Sequence, residues 1–211
     1  MWEDYNKATR LMVPNEHLVR FIQKTFSNTK KRKNVKILDA GFASGRHLIY
    51  LTKEGFDVFG FDKSKESFSF AKKWQKQEGL SINIKREDML NLPYRDNSFD
   101  VVIEIGTIEH FLLNNRKKAI SEIYRVLKNN GYFFFIAKKK GDYLEKSGPK
   151  VEENTYTINE SFIKNTPYHF FNEKEIRQFL NKFREIDLNY EILSRKNMTM
   201  EIHNWIIVAQ K

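Results

Sequence analysis

Cysteine is absent from this 211-residue chain, which removes disulfides, thiolate nucleophiles and cysteine–zinc sites from consideration. Proline and glycine are scarce, at four and nine residues, so the turns that hold them carry information. No apolar run approaches the roughly 20 residues a membrane-crossing helix needs. The opening residues, Met1-Trp-Glu-Asp-Tyr-Asn6, lack the basic-then-apolar layout of a secretory signal. A cytoplasmic location away from membranes is therefore the expectation. His17, His47 and His203 show no metal-ligand spacing, so no metal is expected. Internal repeats and low-complexity tracts are also missing. What is present is a mixed-charge chain of ordinary apolar content with 37 Lys and Arg against 27 Asp and Glu, a net charge of +10. A basic surplus can draw nucleic acid, anionic lipid or an acidic substrate. Here Lys and Asn recur on plain helix faces too, which fits a compositional bias.

Periodicity divides the chain. Leu18, Val19, Ile22 and Phe26 recur at helical spacing behind Pro14, giving residues 1–34 the look of an N-terminal helical segment. Lys30 to Lys33 reads as an exposed linker. Val35 to Asp39 is a short strand, Gly45 to Lys53 a helix closed by Gly55, and Asp57 to Asp62 a second strand. Ser64 can cap a helix running to Gln77. Ser81 to Arg86 alternates as a third strand, and Phe99 to Ile105 is a fourth. A helix from about Asn115 to Leu127 is predicted to stop at Asn129-Asn130-Gly131, a C-cap signal. Tyr132 to Ala137 is a fifth strand. Residues 138–171 show no clean period and read as an inserted lid or substrate loop. Asn172 then caps a helix to Phe183, and two strands, Ile186 to Leu193 and Ile202 to Ala209, close the chain around a polar hairpin.

Alternating strands and helices in this order imply one α/β domain: a mostly parallel sheet with helices on both faces and an antiparallel pair at the end. In such sheets ligands sit beyond the carboxyl ends of the strands. Asp39, Asp62 and Asp88 all fall at or just after those ends and should line one edge. Between Asp39 and the first helix stand Gly41, Ala43 and Gly45, whose small side chains let backbone N–H groups approach a ligand.

These residues resemble the class I S-adenosylmethionine-dependent methyltransferases, the Rossmann-like seven-stranded family. The first motif of that family stands here as Leu38-Asp39-Ala40-Gly41-Phe42-Ala43-Ser44-Gly45, the second as Phe61-Asp62 and the third as Glu87-Asp88-Met89. The fourth strand, Ser98 to Ile105, runs into Gly106-Thr-Ile-Glu-His110, and Arg125 to Gly131 precedes the fifth. Ala43 departs from the pattern, which often has glycine there, so a slightly different turn is expected. The resemblance implies S-adenosylmethionine as cofactor, with S-adenosylhomocysteine as product. Asp39 would orient its ammonium, the amides near Gly41 to Gly45 its carboxylate, and Asp62 its ribose hydroxyls. Asp88 and the Met89 amide would meet the adenine, Lys63 and Met89 its faces, and Ile105 would offer a backbone carbonyl. A nicotinamide dehydrogenase would use Gly-x-Gly-x-x-Gly; the small residues here fall two and then two apart, and Asp39 and Asp88 have no necessary role in that fold. The Tyr124 to Lys128 pair matches Tyr-x-x-x-Lys but belongs on the opposite edge.

The expected reaction is methyl transfer to an O, N or other nucleophile of a small molecule. Asn/Asp-Pro-Pro-aromatic, typical of amino-nitrogen methylation of bases or glutamine, is missing after the fourth strand. Tyr168 and His169, after the lid, and His110 are the candidate catalytic residues. Glu109 and His110 also read as a helix start and a hydrogen-bonded turn, and Tyr168, Phe170 and Phe171 as lid packing. Lys138-Lys-Lys140 follows the fifth strand and could steer an anionic acceptor. Trp2 and Tyr5 could fold over the cofactor or pack in the core. An RNA methyltransferase, for example on tRNA, and a non-catalytic cofactor-binding protein are the alternatives; monomer and homodimer both stay open.

Overall fold

A computed structural model of the chain describes residues 10–158 and 165–211; Trp2 and Tyr5 lie outside the described residues. The first helix among the described residues is α1 (Glu16–Phe26), whose N-terminal amides at His17 and Leu18 donate to the Asn15 side chain. Pro14 thus precedes the cap. Strand β1 (Lys36–Ala40) leads into α2 (Arg46–Lys53), β2 (Asp57–Phe61) into α3 (Lys65–Gln77), and β3 (Asn83–Lys85) through a long crossover into β4 (Phe99–Ile105). Ser64 caps α3 as its sequence position requires, accepting from the Ser67 N–H. Then come α4 (Leu113–Val126), β5 (Leu127–Lys138), a small sheet of β6 (Lys150–Glu152), β7 (Thr155–Ile158) and β8 (Thr166–His169), helix α5 (Glu173–Phe179), and a closing hairpin of β9 (Glu185–Arg195) and β10 (Met200–Gln210).

The main sheet has seven strands in the order β3-β2-β1-β4-β5-β10-β9. Strands β1 to β5 run parallel, and β10 inserts antiparallel between β5 and β9. Order reverses beside β1, whose neighbours are β2 and β4, so the crevice between their carboxyl ends is the natural ligand position. Helices cover both faces. Leu18 and Ile22 of α1, Leu48 and Leu51 of α2 and Ala71 of α3 pack on one side with Ile37, Val101 and Phe134. Ile120, Ile123 and Val126 of α4, Ile176 of α5 and Leu180 just after it pack on the other with Leu38, Val102 and Phe135.

The helix expected to reach Phe183 stops at Phe179, and two other elements differ more from the sequence expectation. Helix α4 ends at Val126, before Asn129-Asn130-Gly131, and that tripeptide lies inside β5 as a bulge. Phe99 pairs with Leu127 while Val101 already pairs with Tyr132. Asn130 takes a left-handed φ of 66°, and a Cβ on Gly131 would stand 2.9 Å from the Lys128 carbonyl oxygen. The residues that favour a helix cap also suit a bulge, because both need backbone that side chains obstruct. Residues 138–171 are also more regular than a loop. They hold the antiparallel sheet β6-β7-β8 with its own apolar cluster of Leu144, Tyr156, Ile158, Tyr168 and Phe170. Phe171 ties this sheet to the main one: its N–H donates to the Lys138 carbonyl at 2.9 Å, and its carbonyl accepts from Trp205 Nε1 at 2.9 Å.

Candidate active site

A cavity of about 950 Å³ opens at the carboxyl ends of β1, β2 and β4. One half is built by the turns after β1 and β2. Gly41 (φ 84°), Ala43 (φ 47°) and Gly45 (φ 81°) alternate left-handed positions through the first turn. Gly41 cannot be replaced without movement, since a Cβ there would lie 2.4 Å from Thr107 Oγ1 in the turn after β4. Ala43 adopts the conformation a glycine prefers, at a cost of about 1 kcal/mol. Its N–H donates to Asp62 Oδ2 at 2.8 Å, and the Ser64 N–H donates to Asp62 Oδ1 at 2.8 Å. Asp62 is thus fixed by two backbone amides while its carboxylate lines the cavity.

Asp88, also at the wall, accepts from Lys63 Nζ at 2.8 Å and from the Leu90 N–H at 3.0 Å. Burial pushes its carboxyl up, but Lys63 and Leu90 outweigh burial and leave it below the usual carboxylate range. Met89 and Ile105 line the same space. Arg10 and Leu11 close it from the N-terminal side. Ser44 Oγ donates to the Leu11 carbonyl, and Arg46 donates to the Val13 carbonyl at 3.0 Å.

Asp39 and Gly45 are not among the lining residues. Asp39 is buried with Oδ2 3.7 Å from His47 Nδ1, and that oxygen has no hydrogen-bond partner. His47 Nε2 in turn accepts from the Asn15 N–H at 3.3 Å. The geometry therefore places Asp39 at the same sheet edge as Asp62 and Asp88 but behind the wall. Gly45 starts α2 where a Cβ would stand 3.0 Å from Ala71 Cβ, so its smallness serves helix packing.

The other half of the cavity is built by the turn after β4 and by β8. Glu104, at the penultimate position of β4, is fully buried and accepts from the Thr107 N–H (2.5 Å) and the Ile108 N–H (3.2 Å), holding a single 3₁₀ turn over Ile108–His110. Burial, then the neighbouring Glu109, push Glu104 well above the ordinary carboxylate range. His110 lines the cavity with its Nδ1 3.1 Å from the Pro167 carbonyl; that oxygen can only accept, so Nδ1 carries the proton. Burial lowers His110 to about 4, so the ring is neutral at pH 7. The Tyr168 ring packs against it at a tilt of 53°, with ring centroids 4.5 Å apart.

His169 is brought elsewhere. It is fully buried, its Nδ1 lies 2.8 Å from Thr155 Oγ1, and it faces α5 with Nε2 3.6 Å from Glu175 Oε1. Burial, then Arg116, lower it to about 3. Strand alternation explains the difference: Tyr168 and His169 are neighbours on β8 and point to opposite faces. Lys138 at the end of β5, and Lys139 and Lys140 after it, also miss the cavity. Lys138 Nζ pairs with Asp142 at 3.0 Å, and Lys139 Nζ rests over the Trp205 and Tyr190 rings. Tyr124 and Lys128 belong to the opposite end, where Lys128 pairs with Asp100 at the start of β4.

Glu109 is the residue that sequence reasoning undervalued. It is buried, lines the cavity, and accepts the Lys138 N–H at Oε2 (3.1 Å) as well as a hydrogen bond from Tyr168. Burial raises it to about 7 against the opposing pull of Lys138. No local pattern announces this, because its neighbours come from β5 and β8.

A family described as a methyltransferase domain matches residues 38–135. An uncharacterised methyltransferase of Bacillus subtilis is 23% identical over 176 residues, 83% of this chain and 65% of the relative. Human EEF1A lysine methyltransferase 2 is 34% identical over 128 residues, 57% of this chain and 52% of the relative. The chain thus spans about half to two thirds of the length of these curated relatives. A crystal structure of a SAM-dependent methyltransferase from Methanosarcina mazei superposes with a TM-score of 0.70 at 26% identity, over 83% of this chain and 92% of that one. By its sheet order, its motifs and the methyltransferase-domain match over residues 38–135, the chain is similar to the class I, Rossmann-like S-adenosylmethionine-dependent methyltransferases.

Proposed function

We propose that the chain is an enzyme that transfers the methyl group of S-adenosylmethionine to a nucleophilic atom of a small molecule. The observation that carries this reading is one continuous cavity whose walls hold Asp62 and Asp88 on one side and Glu109, His110 and Tyr168 on the other. The residues present fit the donor. Asp62 is held by two amides with its carboxylate at the wall, a geometry suited to a ribose diol. Asp88, Met89 and Lys63 form a wall suited to adenine. The glycine-lined turn brings backbone close to the ligand where a Cβ would collide with Thr107. Asp39, behind that turn, supplies negative charge on the side meant for the ammonium.

When bound, the donor supplies an already activated methyl group. What remains for the chain is to orient the acceptor in line with that methyl and to keep water out. Tyr168, Pro167, Thr166 and Phe111 close the acceptor side, and β6-β7-β8 acts as the lid that carries three of them. Among the lining residues, the cations Arg10, Arg46 and Lys63 lie on the donor side, and neutral His110 sits at the acceptor side. That distribution suits a neutral or cationic acceptor better than the anionic one expected from Lys138 to Lys140.

Calorimetry with S-adenosylmethionine, S-adenosylhomocysteine and NAD tests the donor assignment. The first two are expected to bind and NAD to give no heat. Equal affinity for NAD would defeat the reading. Incubation with methyl-labelled donor and a mixed metabolite extract, followed by mass spectrometry of labelled products, then identifies the acceptor.

A further inference from the structure

The proposed reaction leaves one group at the cavity unused. Glu109 is a carboxyl side chain about 4% exposed, set into the acceptor-side wall. It occupies the second residue of the 3₁₀ turn that Glu104 fastens to the end of β4. One oxygen, Oε2, is held by the Lys138 N–H. The other, Oε1, lies 3.7 Å from where a Cβ on Gly106 would stand, so it reaches back toward the turn that lines the space. Such a group is anchored rather than free to wander, and it faces the place where an acceptor must approach the methyl.

The charged and titratable groups around it come from four elements. Burial and Asp142 from the loop after β5 disfavour its ionised form; Lys138 of β5 and the Tyr168 hydroxyl of β8 favour it, and Glu109 in turn raises Glu104 of β4. His110, its neighbour in the turn, is neutral and has Nδ1 committed to the Pro167 carbonyl. A group poised in this way is half ionised near neutral pH, where it can take a proton and return it to solvent.

We propose that Glu109 is the proton acceptor of the transfer, and that the site therefore serves an acceptor whose attacked oxygen or nitrogen carries a proton, such as a hydroxyl or an amine. This deepens the methyltransferase reading and rests on it. In the step, a lone pair on the acceptor atom forms the bond to the methyl carbon. The carbon–sulfur bond breaks and its electron pair stays on sulfur, leaving a neutral thioether. The proton on the attacked atom passes to the Glu109 carboxylate and then to water. Tyr168 positions that carboxylate by hydrogen bonding, and Glu104 positions the turn.

The test reads protons directly and needs no acceptor. S-adenosylmethionine carries a sulfonium charge and S-adenosylhomocysteine does not. A positive charge arriving beside Glu109 favours its ionised form, so the sulfonium ligand drives off a proton that the thioether leaves in place. Binding enthalpies of both ligands to the full chain at pH 7, measured in phosphate and in Tris, give the number of protons released. The wild-type protein is expected to release more with the sulfonium, by up to about half a proton for a group titrating near 7. In Glu109→Gln that Glu109-dependent excess is lost. In Tyr168→Phe, where a hydrogen bond favouring ionisation is removed, the pH of maximal excess moves upward. An identical excess in wild type and Glu109→Gln overturns the proposal. If Glu109→Gln does not fold, an unchanged pH profile in Tyr168→Phe overturns it instead. Absence of binding heat for either ligand defeats the donor assignment itself, a distinguishable result.

Discussion

Asp62 illustrates how a single side chain gains its role from backbone around it. Its two oxygens accept the Ala43 and Ser64 amides at 2.8 Å each, so the carboxylate is oriented before any ligand arrives. Charge-assisted hydrogen bonds of this kind are worth roughly 1.5–3 kcal/mol each. Asp62→Ala is therefore expected to weaken S-adenosylhomocysteine binding more than tenfold by calorimetry, with Asp62→Asn intermediate. Ala43 offers a second residue-level outcome. Its φ of 47° places an L side chain where glycine is at ease, and Ala43→Gly should raise unfolding stability by about 1 kcal/mol. An unchanged denaturation midpoint would show that the strain is relieved by neighbours.

At the level of elements, the second sheet is fastened by one buried cation. Arg116 of α4 is about 2% exposed and donates to the Phe111 carbonyl (2.5 Å), to Glu152 of β6 (3.3 Å) and to Thr155 of β7 (3.5 Å). Burial lowers its affinity for protons, and Glu152 and Glu175 offset that only in part. Removing the cation leaves the Phe111 carbonyl and the buried Thr155 hydroxyl without this donor, while the partly exposed Glu152 turns to water. Arg116→Ala should accordingly speed amide hydrogen exchange in β6, β7 and β8 far more than in β1 or β4. Uniform acceleration across the chain would refute a local role. The same element shows why parts of this fold were legible and parts were not. Strands β1, β2 and β4 announce themselves by apolar runs ending in acids or small residues, and α3 by Ser64, because those signals are local in sequence. Strands β6 to β8 are three or four residues long and exist only by pairing with each other, so their sequence has no period to read. Glu109 is hidden for the same reason. Its chemistry comes from Lys138 and Tyr168, distant along the chain and adjacent only after folding. His169 shows the converse: its type suggests chemistry, and one residue of strand alternation turns it into the interior.

Across the whole molecule, buried titratable groups set opposing pH dependences. His110 and His169 are lowered to about 4 and about 3. The unfolded chain protonates them first, so their share of stability is intact above about pH 6.5 and is lost as pH falls toward those values. Glu109 is raised to about 7. The unfolded chain ionises it first, so its share is present below about pH 4.5 and is lost as pH rises to about 7. Each group contributes at most about 1.4 kcal/mol per pH unit, and between pH 4.5 and 6.5 the slopes partly cancel. Glu109→Gln removes one of them. Urea titrations should find the variant gaining on wild type as pH is raised from 5 to 7, with the gap constant above about 8. A gap independent of pH would show that Glu109 does not titrate in that window.

Helix α4 has a consequence that follows from its two arginines. Near its start, Arg116 grips β6 and β7. Near its end, Arg125 holds the Leu92 and Tyr94 carbonyls of the crossover that carries Asp88, at 3.0 and 2.7 Å, while Glu122 receives the Leu92 N–H. One rod therefore carries both jaws of the cleft. A shift of that rod would carry the segments fastened at its two ends along with it.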